Sequence, residues 1–300
     1  ANCLCLRNHS LRMSHLAVIQ TANQPYKLVK EINGKYFEIE KIDSLSDALT
    51  LRLSEFRKAF DAAGSKEVMG KLVAPVAADT EVWGAGVTYQ RSRDARKEES
   101  GIPDVYQLVY EADRPELFFK ATARRTIGHL GLVGIREDAL TSVPEPEVAI
   151  VINKFGELIG MSICNDMTSR NIEGENPLYL SQAKIYFGSN ALGPMIRPIW
   201  EIIDHNALDI YAKIERGGSI VWQAETSLKS LNRSFDDLIE YLFKCQHFPV
   251  GVILSTGTGI VPPLDISLVA GDEVTITVDQ IGTLINKVSL TPEDINERMK

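Results

Sequence analysis

The stretch that most constrains this chain runs from residue 144 to 166, PEPEVAIVINKFGELIGMSICND. Val148 to Ile152 form an apolar run, the turn-like interval from Asn153 to Glu157 interrupts it, and Leu158 to Cys164 resume it. Two such runs about a short Gly-containing break predict a β-hairpin. Glu145 and Glu147 are two apart at its start, so in a strand both side chains leave the same face. At a rise of roughly 3.3 Å per residue their Cα atoms stand about 7 Å apart, near enough for both to reach one ion. Pro146 between them cannot donate a ladder hydrogen bond, which puts the pair at a strand start or a sheet edge. Asp166 adds a third carboxylate where the second strand ends, with Thr168 to Asn171 following as a loop or helix.

Three carboxylates without a nearby His or Cys pair make an all-oxygen set, suited to Mg²⁺, Mn²⁺ or Ca²⁺ rather than zinc. The same residues also allow a plainer reading, in which the glutamates face solvent on an edge strand and Asp166 caps a helix.

Composition narrows the function classes. The chain has 300 residues, 44% of them hydrophobic, enough for one large or two modest domains. No apolar run reaches the roughly 18 residues that a membrane-spanning helix needs. The net charge of −8 argues against nucleic acid or an anionic membrane as partner. Cys3, Cys5, Cys164 and Cys245 have no metal-finger spacing, and a reducing compartment without disulfides fits them. Residues 1–12 lack the sustained apolar segment of a secretory signal and are expected to be a disordered extension.

Residues 15–40 alternate apolar and polar side chains about an Asn33–Gly34 turn and predict a small antiparallel meander. A helix is expected from Ser44, its N-cap, to Phe60. A boundary near residue 75 separates a small N-terminal domain, 13–75, from a domain over 76–300. In the latter, EVWGAG (81–86) and RPELFFKAT (114–122) read as strands, and 89–99 as a charged helix. That helix is either a solvated face or a mobile lid bringing Arg91 or Arg93 to a substrate carboxylate. Gly84, Gly86 and Thr88 beside it permit close approach of a ligand. HLGLVGI (129–135) reads as a further strand, 208–224 as a hairpin about Gly217 and Gly218, and Ser234 to Cys245 as a capped helix. The last strands flank a TGTG loop at 256–259. Strands outnumber helices without regular alternation, so the fold class is α+β, strand-rich and mixed.

Glu145, Pro146, Glu147, the Asn165–Asp166 pair, Arg170, Lys184 and the Gly193–Pro194 pair stand together with EVWGAG, RPELFFKAT, GENPLYLSQAKIY (174–186), TGTGIVP (256–262) and GTLIN (282–286). In these the chain resembles the fumarylacetoacetate hydrolase superfamily from about residue 80 to 290. Within it, the chain resembles the branch that dehydrates 2-keto-3-deoxy-D-arabinonate in pentose catabolism. The resemblance implies a rolled β-structure with a small α+β domain in front and one divalent metal, Mg²⁺ first, on Glu145, Glu147 and Asp166. It also implies a small 2-oxo sugar acid as substrate, assembly as a homodimer or tetramer, and a cytoplasmic enzyme.

In the superfamily's C–C hydrolases, the resemblance places a His and a Glu in the loop after Gly86. Here those places hold Ser92 and Ala95, neither of them a general base. Proton-transfer chemistry, a dehydration to 2,5-dioxopentanoate, is therefore expected in place of hydrolysis. Glu116 and Lys184 are the candidates for base and acid, with the assignment between them open. Candidate substrate contacts are Thr88, Arg91, Arg114, Lys120, Ser181, Gln182, Thr256, Gly257 and Thr258. The alternatives are a hydrolase of 2,4-dioxo acids of acylpyruvate type, an oxaloacetate decarboxylase, or a non-catalytic binder of sugar acids.

Overall fold

A computed structural model describes residues 13–99 and 103–290. The expectations for residues 1–12, Cys3 and Cys5 included, lie outside them. The hairpin of Pro146–Ile152 and Leu158–Asp166 sits in the middle of a 12-stranded sheet. Beyond its second strand come Asn190–Pro198 and then the meander of Ser14–Gln20, Lys27–Ile32 and Lys35–Glu38. Beyond its first strand come Val252–Thr258, then Glu81–Gly86 in parallel, then Glu116–Thr122. Pro146 is the first residue of its strand, yet that strand is paired on both sides.

The apolar run of this strand is unbroken because both faces are covered. Val148, Ile150 and Ile152 pack with Ile210, Ala212, Val274 and Ile276 of a second, five-stranded sheet. Ala149 and Val151 face the opposite way, into a cluster with Leu45, Leu49, Phe56 and Phe60. The architecture is the strand-rich α+β class expected from the sequence.

The meander turns at Asn33 and Gly34, both at positive φ (52° and 79°), as a two-residue hairpin requires. The expected helix from Ser44 is two helices, Leu45–Leu49 and Leu53–Ala62. Its break has a tertiary cause. The tip of the central hairpin takes the carbonyls that a continuous helix would use: Lys154 N donates to Leu49 O (2.9 Å) and Asn153 Nδ2 to Leu51 O (2.9 Å). The Glu157 carboxylate then accepts from Leu53 N (2.8 Å) and starts the second helix.

One further expectation changes. The residues 256–258 of the expected TGTG loop close the Val252–Thr258 strand, since Thr256 Oγ1 and Thr258 Oγ1 donate to the carbonyls of Val148 (2.8 Å) and Pro146 (2.9 Å) across a bulge. Leu132–Ile135 lies in the five-stranded sheet, parallel to Gly282–Leu290. His129, just before it, accepts from Ile285 N through Nδ1 (3.1 Å), a structural role. Among the described residues no helix is long and apolar enough to cross a membrane, and Cys164 and Cys245 are free thiols.

Candidate active site

The strand order brings three carboxylates to one point. Glu145 precedes the first strand of the hairpin, Glu147 lies within it, and Asp166 ends the second. Each offers an oxygen, and these atoms lie within 4.8 Å of one another. All three side chains are buried, which removes the solvent-facing reading.

Buried carboxylates so close together need compensation. Lys184 Nζ lies 2.6 Å from Glu145 Oε2 and 2.9 Å from Asp166 Oδ2, and donates to Thr168 Oγ1 (2.8 Å). Arg170 Nη2 lies 3.0 Å from Glu145 Oε1. Lys120 Nζ lies 2.5 Å from Asp166 Oδ1 and donates to the carbonyls of Met167 (3.1 Å) and Lys184 (2.6 Å). Burial pushes the Lys120 ammonium below its usual range, against the pull of Asp166.

Glu147 is bound differently. Its Oε2 accepts from Ser255 Oγ and from the Gly257 amide (2.9 Å). Burial first, and then the charges of Asp166 and Glu145, push its carboxyl up to about 8. A divalent cation suits this donor set: the oxygens converge, no softer ligand is among them, and a cation would favour the ionised form of Glu147 that burial and its neighbours disfavour.

The carboxylates and Lys184 line one cavity, whose other walls include Ser92, Glu116, Phe118, Glu173, Gly257 and Thr258. Glu116 opens the Glu116–Thr122 strand directly opposite Gly86, and a Cβ on Gly86 would collide with the Glu116 carboxylate. The room that Gly84 and Gly86 leave is thus taken by the side chains of Phe118 and Glu116. Gly257 has φ 91°, and a Cβ there would collide with Thr88 Oγ1 and stand 2.9 Å from Ala85 O. Val87, at the cavity wall, holds φ 53°, a strained setting for a β-branched residue.

The other candidates divide in two. Thr88, Lys120 and Thr256 are buried behind the wall: Thr88 Oγ1 donates to Thr256 O (2.7 Å), and the protons of Lys120 go to internal acceptors. Arg91, Ser181 and Gln182 are exposed and outside the wall, while the Arg114 guanidinium lies over the Tyr241 ring (5.4 Å). Glu173 had no role among the residues expected from the sequence. Arg170 and Glu173, three apart on the Arg170–Glu175 helix and both buried, carried a legible signal in their spacing.

Residues 81–289 match the fumarylacetoacetate (FAA) hydrolase C-terminal family. This chain belongs to that family. Of its curated relatives, a probable 2-keto-3-deoxyxylonate dehydratase of Haloferax volcanii is 40% identical over 253 residues, 84% of this chain and 87% of the relative. The 2-dehydro-3-deoxy-D-arabinonate dehydratase of Saccharolobus solfataricus is 42% identical over 212 residues, 69% of this chain and 71% of the relative. Among solved structures of the fumarylacetoacetate hydrolase fold, a 2-keto-3-deoxy-D-arabinonate dehydratase complexed with magnesium and 2,5-dioxopentanoate superposes with TM-score 0.80 at 31% identity. That match covers 94% of this chain and 100% of the other.

Proposed function

We propose that this chain is a hydro-lyase that converts 2-keto-3-deoxy-D-arabinonate to 2,5-dioxopentanoate in pentose catabolism, with Mg²⁺ held by Glu145, Glu147 and Asp166. The observation that carries the reading is the makeup of the cavity. Glu116 and Lys184 line it beside the carboxylates, while Ser92, on the Gln90–Glu99 helix, takes the place in the wall that the resemblance gives to a hydrolase's histidine. Bound there, Mg²⁺ supplies Lewis-acid polarisation of a 2-oxo acid.

The chain's own side chains move the protons. Elimination takes a proton from C3 and the hydroxyl from C4 as water. Tautomerisation then takes one proton from C5 and one from the C5 hydroxyl and returns one each to C3 and C4, leaving the C5 aldehyde. Glu116 and Lys184 share these transfers as base and acid. Gly257 and Thr258 contact the substrate, Thr88, Thr256 and Lys120 support the wall from behind, and Phe118 excludes water. Arg91, Ser181 and Gln182, being exposed, drop out of the contact set.

The 76–300 segment, which contains the family match, is proposed as the catalytic unit and 13–75 as a small unit in front of it. The enzyme is further proposed to be a cytoplasmic homo-oligomer, a reading supported by the family resemblance and the free thiols.

The test is a Mg²⁺-dependent assay against a panel of 2-keto-3-deoxy pentonates and hexonates. Aldehyde from a pentonate, lost with EDTA, is expected. Pyruvate or CO₂ in its place would move the assignment to a hydrolase or a decarboxylase.

A further inference from the structure

The short segment Leu231–Arg233 touches both ends of the pair of helices, Gln90–Glu99 and Pro103–Glu111, that flanks the cavity. At the near end, Tyr89 bridges to Leu231, and the Asn232 amide donates to the Thr88 carbonyl (2.8 Å). At the far end, where the second helix runs out, Asn232 Nδ2 donates to Tyr110 O (3.3 Å). There the Arg233 guanidinium donates to the carbonyls of Asp113 (2.9 Å), Val109 (3.2 Å) and Ala112.

Carbonyls at a helix C-terminus have no partner within the helix, and a cation there also complements the helix dipole. Arg233 is anchored in turn by Asp237 (3.7 Å), in the first turn of the Phe235–Phe243 helix, which is packed in the core. The two helices join through the Arg93 guanidinium over the Tyr110 ring (4.8 Å), and the neighbouring Ser92 forms part of the cavity wall.

We infer that Arg233 is a positioning residue, a latch that fixes the end of the helical pair and thereby holds the Ser92 wall against the substrate. This rests on the reading of the cavity as the active site.

The test compares the Mg²⁺-loaded full chain with Arg233→Met and Arg233→Lys in three readouts: tryptic cleavage after Arg91, Arg93 or Lys97, steady-state kinetics, and Mg²⁺ affinity. Losing hydrogen bonds from a charged donor predicts cleavage about tenfold faster and kcat/KM about tenfold lower in Arg233→Met. Arg233→Lys should recover part of both, with Mg²⁺ affinity unchanged throughout. Unchanged cleavage and kinetics in Arg233→Met would overturn the latch, and so would a parallel fall in Mg²⁺ affinity, which marks a general structural role. If Arg233→Met does not fold, Asn232→Ala removes only the Nδ2 bond and should shift cleavage and kcat/KM about threefold in the same directions; no shift there also overturns it. A wild-type protein without dehydratase turnover sinks the functional reading, while the cleavage rates still judge the latch.

Discussion

The carboxylate centre and the helical pair border the same cavity but are held in different ways. Glu147 and Asp166 lie on strands paired on both sides in the middle of the large sheet, Glu145 directly precedes one of them, and buried cations from three elements meet the oxygens of Glu145 and Asp166. The helical pair carries Ser92 to the same cavity, yet Leu108 on its second helix is 66% exposed. Its second helix is tied down by hydrogen bonds to helix-end carbonyls, by the Arg93–Tyr110 ring contact, by Lys97 Nζ donating to Gln107 Oε1 (3.4 Å) and by the buried Tyr106. With both strands paired on each side, the carboxylate centre should be the costlier of the two regions to open locally.

Substitutions should separate the two regions by size of effect. Glu145→Ala is the harshest. It removes the carboxylate that Arg170 and Lys184 both meet, in a buried setting, at a cost of about 3–5 kcal/mol. Turnover should fall about 10²- to 10³-fold, as when a preorganised charge is removed from a reacting centre. Urea unfolding and kinetics measure both, and wild-type stability in the variant would mean that the cations are not held by this carboxylate.

Gly257→Ala forces a Cβ against Thr88 at a positive φ and should cost about 1–3 kcal/mol. It should also lower Mg²⁺ affinity, because the Gly257 amide bonds Glu147.

The raised Glu147 carboxyl gives a third, milder handle. Its pKa in the metal-free fold, about 8, lies above the ordinary 4.5. Its contribution to the stability of the metal-free protein is therefore complete below that ordinary value and is lost as pH rises through about 8. Metal binding must expel the proton, so Mg²⁺ affinity should rise up to about tenfold per pH unit below this range and level off above it. Calorimetry in buffers of different ionisation heat counts the proton released in mildly acidic solution, and a count of zero would show Glu147 already ionised.

Arg93→Ala should do least. Removing a partly exposed guanidinium from the Tyr110 ring is worth about 0.5–1 kcal/mol, a two- to fivefold loss in kcat/KM. Mg²⁺ affinity should stay as it was. A loss as deep as that of Glu145→Ala would erase the distinction between the two regions.

Much of the carboxylate centre was legible in the chain because its information is local. Two glutamates at i and i+2, a proline between them and a turn-separated apolar repeat fix a shared face and a hairpin whatever surrounds them. Lys184 could be singled out only through the family resemblance, and the spacing of Arg170 to Glu173 names no partner for either. The pairing of Lys184 and Arg170 with Glu145 spans 39 and 25 positions, and no periodicity encodes a contact of that kind. Lys120 shows the same limit: its place in a strand was readable, but its direction, toward the back of Asp166 and away from the cavity, was not.

The sequence alone determined the central hairpin, the meander with its Asn33–Gly34 turn, the Ser44 and Ser234 caps and the α+β class, since each depends on propensity and spacing within a few residues. Only the tertiary structure decided where the helix from Ser44 breaks, that Thr256 to Thr258 complete a strand, and which cation meets which carboxylate. In each of these cases a hydrogen bond or charge from a distant element outweighed the local preference, and such partners exist only once the sheet has brought them together.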